Sequence, residues 1–498
     1  MFDFEPSHEL ENSHQYRLLV EFLEGRGTTC HTITAQWTGR QTATVLFFAS
    51  SGKLYGAVLP LTIGAHPDGL VKEGIEKQVS AEAAVREGHR RLQISTHDQG
   101  SSDDVRLKVE QLRGIFREAT ATEDRYKKLL KDCADPQYAQ IVLDSLQTLL
   151  DHPLTEKEDK RGLLQTLIRI SKKTSMYPPC LALKDVTRKL YPVAAGHFSE
   201  VYQGSFRGNA VAIKVLKLYQ HSDIAKALKI FHRESIIWGQ LAHENLLPFY
   251  GIFHLDWDDK RLCFVSPWMG NGNIRAYINE NPDSDALLLL GDILSGIQYL
   301  HSEGIVHADL KGDNILATAS GRACLADFGL SKLIDSEAVS WTSMHTTAQQ
   351  GGTLRWQAPE LIDPDSEHVS ANKQSDMFSF GGVCYEVLTG KVPFYECSRD
   401  AKVSLKVMSG QLPSKPLRDE THPSRVHVLE ALWEIMVQCW ARDPQDRPDA
   451  ERLLKMDLVS DASANDTRPH DSWRGLTASQ FRSAMYTPEP QRPLSPTE

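Results

Sequence analysis

The stretch His307-Ala-Asp-Leu-Lys-Gly-Asp-Asn-Ile-Leu316 packs an aspartate, a lysine and an asparagine close together, and Asp327-Phe-Gly329 follows eleven positions later. Asp309 is a carboxylate that can accept the proton of a hydroxyl as that hydroxyl turns nucleophilic. Lys311 can sit against a phosphate in flight. Asn314 and Asp327 offer oxygens, which a hard cation such as Mg²⁺ prefers. Together these residue types suit phosphoryl transfer to a hydroxyl. Asp-Phe-Gly alone recurs by chance. The long stretch and the tripeptide, in this order and this close, are a far more specific signal.

The surrounding chain must position these groups. At 498 residues it is too long for one ordinary domain, and its 41% hydrophobic and 24% charged content is that of a globular protein. A net charge of −10 argues against a nucleic-acid-binding surface. The eight cysteines form no C-x-x-C pair, so neither a zinc site nor a thioredoxin-like motif is indicated. Cys263, Cys324, Cys384 and Cys439 lie in apolar runs and read as core thiols of a reducing compartment. The N-terminus lacks the basic start and apolar stretch of a signal peptide. The Ala286-Leu-Leu-Leu-Leu290 run is soon broken by Gly291 and Asp292, short of the ~20 residues that span a bilayer. The expectation is a cytoplasmic protein, with nuclear access open and no membrane contact.

Five segments are expected. Residues 1–94 form a small β-containing module, because Thr42–Phe48 and Lys53–Leu61 alternate as strands around a turn at 49–52. Residues 95–104 are a polar linker. Residues 105–183 are a helical unit with apolar stripes at Val105, Val109, Leu112 and Phe116, at Leu143, Leu146 and Leu150, and at Leu164, Leu167 and Ile168. The segment 184–458 carries the chemistry. The tail, 459–498, is rich in Ser, Thr, Pro, Asp and Arg and is expected to be disordered, with Thr487-Pro488 and Ser495-Pro496 open to proline-directed phosphorylation.

Over about 275 residues, 184–458 resembles a eukaryotic protein kinase, most similar to the tyrosine-kinase-like group. With its helical prelude it looks like the expanded kinase sets of mushroom-forming fungi. The resemblance implies an α+β fold of two lobes, a small β-rich N-lobe and a large helical C-lobe. It implies ATP as donor, Mg²⁺ (or Mn²⁺) as the ion, and a protein substrate. Asp309 then becomes the catalytic aspartate and Lys311 its phosphate-side companion, with Asn314 and Asp327 as metal ligands. Lys214 of Val211-Ala-Ile-Lys214 would neutralise phosphates, and Glu234 of His232-Arg-Glu-Ser235 would pair with it. Taken singly, Lys214 also reads as a solvated edge lysine and Glu234 as a helix-surface charge.

Val193-Ala-Ala-Gly-His-Phe-Ser-Glu-Val-Tyr202 stands where such a family has its glycine-rich flap, and only Gly196 is kept, with Ala194 and Ser199 in the outer places. A working but stiffer flap is expected. Phe264-Val-Ser-Pro-Trp-Met269 resembles the adenine hinge, with Ser266 a small gatekeeper and the Met269 amide a donor. Val193, Val201, Ala212 and Leu316 would enclose the base. Glu360 should pair with Arg447, and Asp376 should tie down the catalytic loop. Lys311 and Thr353 resemble the serine/threonine class. Ala308 stands where an arginine usually precedes the catalytic aspartate, so little dependence on phosphate at Ser340, Thr342, Ser343, Thr346 or Thr347 is expected. Two alternatives remain: a pseudokinase acting as a nucleotide-binding scaffold, and an adaptor whose business lies in residues 1–183, with a regulatory partner there.

Overall fold

The computed structural model describes residues 31–39, 42–48, 54–60, 85–86, 88–89, 102–153, 155–195, 199–217, 224–254, 261–327, 332–333, 354–363 and 370–486. The chain divides into two compact units, 1–179 and 180–498.

In the first unit, β1 (His31–Gly39), β2 (Thr42–Phe48) and β3 (Leu54–Pro60) form an antiparallel sheet in that order. The β2–β3 pair is the expected hairpin, in register from Thr42↔Pro60 to Phe48↔Leu54. Four helices follow: α1 (Ser102–Thr120), α2 (Glu123–Asp132), α3 (Pro136–Asp151) and α4 (Lys157–Thr174). Local chemistry sets their starts. Thr122 accepts the Arg125 N–H ahead of α2, and Asp135 accepts the Gln137 and Tyr138 N–H groups ahead of Pro136. Val109, Leu112 and Phe116 of α1 are buried with Leu143, Leu146 and Leu150 of α3.

Three boundaries differ from expectation. Residues 102–104, assigned to the linker, are the first turn of α1, where Asp103 and Asp104 suit the positive end of a helix. Helical turns at 85–86 and 88–89 pack on the bundle: Val85 is fully buried, and His89 Nδ1 lies 2.9 Å from Ser145 Oγ of α3. The buried stripe of α4 is Leu163, Leu167 and Ile170, with Leu164 and Ile168 half-buried. Both stripes satisfy helical spacing, so periodicity alone does not choose between them.

The second unit begins at Cys180, four residues earlier than expected, because the Leu183 N–H reaches Ile252 O at 2.8 Å and Leu181 is fully buried. Its small lobe is an antiparallel sheet ordered β4-β6-β7-β9-β8, with β5 paired to β6. The strands are β4 (Val186–Arg188), β5 (Ala194–Ala195), β6 (Ser199–Phe206), β7 (Asn209–Leu216), β8 (Gly251–His254) and β9 (Leu262–Pro267). Helix α5 (Ile224–Trp238) lies between β7 and β8 in sequence. On β7, Val211, Ile213 and Val215 are buried while Ala212, Lys214 and Leu216 are half-buried. One face makes core with Tyr202, Phe206 and Val265, and the other carries the half-buried Ala212, Lys214 and Leu216.

The large lobe contains α6 (Ile274–Glu280), α7 (Ala286–Ser302), β10 (Ile305–Val306), β11 (Ile315–Ala317), β12 (Ala323–Leu325), β13 (Lys332–Leu333), α8 (Pro359–Ile362), α9 (Lys373–Thr389), α10 (Asp400–Met408), α11 (Leu429–Cys439) and α12 (Ala450–Leu454). The leucine run of 286–290 starts α7 and is capped by Asp285, which accepts the Leu287 N–H at 2.8 Å. Among the described residues no helix is long and apolar enough to cross a membrane. Helix α9 opens on a capping box of Asn372 and Ser375 and ends at Gly390, whose φ of 72° suits glycine.

The tail is corrected. From Val459 to Tyr486 it is ordered, through α13 (Asp457–Ala464) and α14 (Ala478–Tyr486). Val459 is 2% exposed and Phe481 7%, the latter within the small-lobe core. The segment is too poor in aliphatics to make a core alone, but it borrows one from the folded unit. Residues 487–498, with both Pro-directed sites, lie outside the described residues.

Candidate active site

Asp376, 1% exposed in α9, organises the loop before β11. One carboxylate oxygen accepts the His307 N–H at 2.9 Å and lies 2.9 Å from His301 Nε2, and the other accepts the Ala308 N–H at 2.9 Å. Ala308 is thereby held at φ 67°, a left-handed conformation that costs a non-glycine residue ~1–2 kcal/mol. That kink presents Asp309. His307 is fully buried, donates from Nε2 to Ala326 O at 3.0 Å and accepts the Asp309 N–H at Nδ1.

Lys311 Nζ lies 3.2 and 3.0 Å from the two Asp309 carboxylate oxygens. Asn314 Nδ2 donates to Asp309 Oδ2 and Asp309 O, both at 2.7 Å. Asn314 therefore commits its NH₂ to Asp309 and keeps its carbonyl oxygen for a cation. The Ala326 N–H donates to Asn314 O at 2.8 Å, which links this loop to the residue before Asp327.

Lys214 Nζ donates to Asp327 Oδ1, so residues 113 positions apart meet. Burial would raise the Asp327 pKa. The Lys214 ammonium, with Lys311 and His307 adding, outweighs it and holds the carboxyl below its ordinary value. The expected Lys214–Glu234 ion pair is corrected: among the described residues no such pair forms. Burial pushes Glu234 up to about 8, against the opposing pull of Lys214 and Arg233, and Asp327 adds to the rise. Two carboxylates lie within electrostatic reach of one ammonium, and Asp327 is the one it bonds. Glu234 stays within electrostatic reach on α5.

Of the residues expected around a base, Ala212 and Leu316 fall on half-buried positions between buried ones, and Val201 is half-buried beside buried Tyr202. Val201 pairs in register with Lys214, and Ala212 with Ser266. Leu316 is half-buried between fully buried Ile315 and Ala317. Ser266 is 6% and Met269 8% exposed, and Val193 is exposed at the sheet's edge. The Met269 carbonyl accepts the Gly272 N–H at 3.2 Å, while its own N–H has no partner among the described residues. Gly196, Phe328, Gly329, Thr353 and the five activation-segment hydroxyl residues lie outside the described residues.

Arg447 forms the expected fork with Glu360, at 2.6 and 2.8 Å. Sequence reasoning missed Glu386 on α9. It is fully buried, and one of its oxygens accepts both the Gly312 N–H at 2.8 Å and Trp356 Nε1 at 2.9 Å. Burial pushes its pKa up to about 7 against those bonds. The signal was a lone carboxylate in the apolar run from Val383 to Leu388.

The donor set fits a hard divalent cation. Asn314 and Asp327 offer two oxygens, and Mg²⁺ commonly takes few protein ligands and completes its shell with phosphate and water.

A protein kinase domain model matches residues 188–459, more than half of the chain. The chain belongs to the protein kinase family. It is 33% identical over 271 residues to "Serine/threonine-protein kinase STY46" of Arabidopsis thaliana, covering 53% of this chain and 42% of that one. It is 28% identical to "Serine/threonine/tyrosine-protein kinase HT1" of the same plant, covering 57% and 69%, and 29% identical to human "Mitogen-activated protein kinase kinase kinase 11", covering 60% and 34%. The chain thus spans less than half the length of several relatives it matches.

Proposed function

We propose that the chain transfers the γ-phosphate of ATP, with Mg²⁺ or Mn²⁺, to serine and threonine hydroxyls of proteins. The observation that carries this is the convergence of Asp309, Lys311 and Asn314 in one bonded cluster, beside the Lys214–Asp327 pair. Asp309 orients the acceptor hydroxyl and takes its proton. Lys311, already on the Asp309 carboxylate, turns to the transferring phosphate. Lys214 holds non-transferring phosphates. Asp327 and Asn314 hold the ion, which when bound neutralises charge on the phosphate oxygens. Catalysis is then mostly positioning and charge neutralisation.

Lys311 and the names of several relatives support the serine/threonine class, and the same relatives favour the tyrosine-kinase-like group. Membership of a fungal expansion rests on the helical prelude alone. The pseudokinase reading draws only on Ala308 and the thinned glycine flap, while Lys214, Glu234, Asp309, Asn314 and Asp327 are all present. Val109, Leu112 and Phe116 of α1 and Leu143, Leu146 and Leu150 of α3 are buried within their own unit, so a regulatory partner of 1–183 would use other faces.

The test has two arms. ATP should raise the melting temperature of the full chain with Mg²⁺ present and not in excess EDTA. An equal shift in EDTA contradicts the metal assignment. Phosphoamino-acid analysis of a labelled acceptor protein should return phosphoserine and phosphothreonine, and phosphotyrosine alone would overturn the specificity.

A further inference from the structure

The ordered tail touches both lobes at points that matter for the site. At its large-lobe end, Arg468 pairs with Asp292 of α7 at 3.0 Å and with Asp466 at 3.0 Å, and donates to Gly321 O at 2.9 Å. Arg322 answers from the β11–β12 hairpin, pairing with Asp466 at 2.8 Å and donating to Pro469 O and Arg468 O at 2.9 Å each. Asp292 is 7% exposed and Arg322 5%. A cluster of two cations and two anions, with Asp292 and Arg322 buried and Asp466 and Arg468 half-buried, each with several partners, is a fixed point. Ser320 Oγ adds a bond to Asp471 at 2.9 Å.

At its other end, the tail reaches α5. Trp473 Nε1 donates to Glu244 O at 3.1 Å. Phe481 stacks on Tyr250, with ring centroids 5.2 Å apart and planes within 2°. Arg482, 5% exposed, donates from Nη1 to the carbonyl of Gly239, the residue that follows α5. The Gly239 N–H returns to Ser235 O at 2.9 Å, so this is the helix's last turn. A guanidinium there caps the Gly239 carbonyl at the negative end of the helix dipole, while the Ile237 and Trp238 carbonyls accept the Gln240 and Leu241 N–H groups. Glu234 lies five residues upstream, about 7.5 Å along the helix.

We propose that residues 466–482 form a clamp whose Arg482 and Phe481 fix the C-terminal end of α5, making Arg482 a positioning residue for that helix and for Glu234 on it, which stays within electrostatic reach of Lys214 without pairing with it. The inference rests on the phosphoryl-transfer reading for its kinetic consequence but not for its structural one. The tail is then part of the catalytic unit, and a substitution in it, far from the transferring phosphate, lowers turnover. The aromatic stack supplies grip and the guanidinium supplies a cap that no apolar residue replaces.

The experiment uses the full chain as wild type, Arg482→Gln and Arg482→Lys, with Phe481→Leu as a second variant. Amide exchange is followed in 235–240, with α7 as internal reference, and kcat and KM for MgATP are measured beside it. Arg482→Gln should speed exchange in 235–240 at least tenfold and leave α7 unchanged. It should lower kcat/KM about tenfold, and Arg482→Lys should restore at least half of each change. Should Arg482→Gln not fold, Phe481→Leu carries the same pattern at about threefold. Unchanged exchange in 235–240, or a rise spread equally into α7, overturns the clamp. Loosened exchange with unchanged kcat/KM overturns the positioning role. Absence of transfer by wild type defeats the kinase reading instead, and the exchange arm still decides whether the clamp exists.

Discussion

Removing the Asp376 carboxylate should damage this protein more than any single change on its surface. The Asp376→Ala variant leaves two backbone N–H groups and the His301 ring nitrogen without their acceptor, at a place where His307 is fully buried and Asp376 1% exposed. Each orphaned donor costs ~1–3 kcal/mol, so the loss sums to about 3–6 kcal/mol once partial relaxation is allowed. Asp376→Asn keeps one acceptor and turns an NH₂ toward the second donor, for about half that loss. At roughly 2–4 °C per kcal/mol the alanine variant should melt ~6–24 °C lower. Asp376 also holds Ala308 at φ 67°, so Asp309 should lose its position and kcat should fall a hundredfold or more, about 2.7 kcal/mol in the barrier. Melting followed by circular dichroism and phosphate transfer below the melting point read the two effects separately. An alanine variant melting within 2 °C of wild type, or turning over at the wild-type rate, would refute the reasoning.

The remaining expectations are smaller. Glu386 has a folded pKa of about 7 against an ordinary value near 4.3, so the native state binds more protons than the unfolded chain between those values. Stability contributed by its protonated form is present below that window and is lost as pH rises through it, by an amount on the order of 3 kcal/mol. Glu386→Gln should flatten that slope in urea titrations at pH 4.5, 6 and 8, and an unchanged slope would remove Glu386 as its source. Ala308→Gly relieves the left-handed strain but frees the unfolded chain, so it should change stability by less than ~1 kcal/mol. Ala308 cannot clamp a phosphate, so phosphatase treatment together with alanine at Ser340, Thr342, Ser343, Thr346 and Thr347 should cost less than about a hundredfold in activity. A greater loss would show phosphate control without an arginine.

The clustering of Asp309, Lys311 and Asn314, the side chains proposed for catalysis, was legible because they sit in one short motif whose local backbone geometry brings them together. The two-lobed architecture came with them, as did the Glu360–Arg447 fork and the Asp376 tether. The pairing of Lys214 was not legible. It depends on which carboxylate the fold brings within hydrogen-bond reach of the ammonium, which is set by packing across 113 residues rather than by spacing. The tail misled for a related reason. Composition measures whether a segment can build its own core, and 459–486 instead contributes Phe481 to a core already made and pairs half-buried Arg468 with buried Asp292. Glu386 was passed over because a carboxylate in an apolar helix reads as surface until its partners, Gly312 and Trp356, are in place. The α4 stripe was displaced because two faces fit one period.

The most direct test of the account is transfer of labelled γ-phosphate to a generic acceptor protein by the purified full chain, beside Lys214→Met and Asp327→Asn. The account predicts Mg²⁺-dependent transfer by wild type and near-abolished transfer by both variants, each melting close to the wild-type temperature. Transfer at the wild-type rate by either folded variant, or none by wild type with Mg²⁺ or Mn²⁺ supplied, would contradict it.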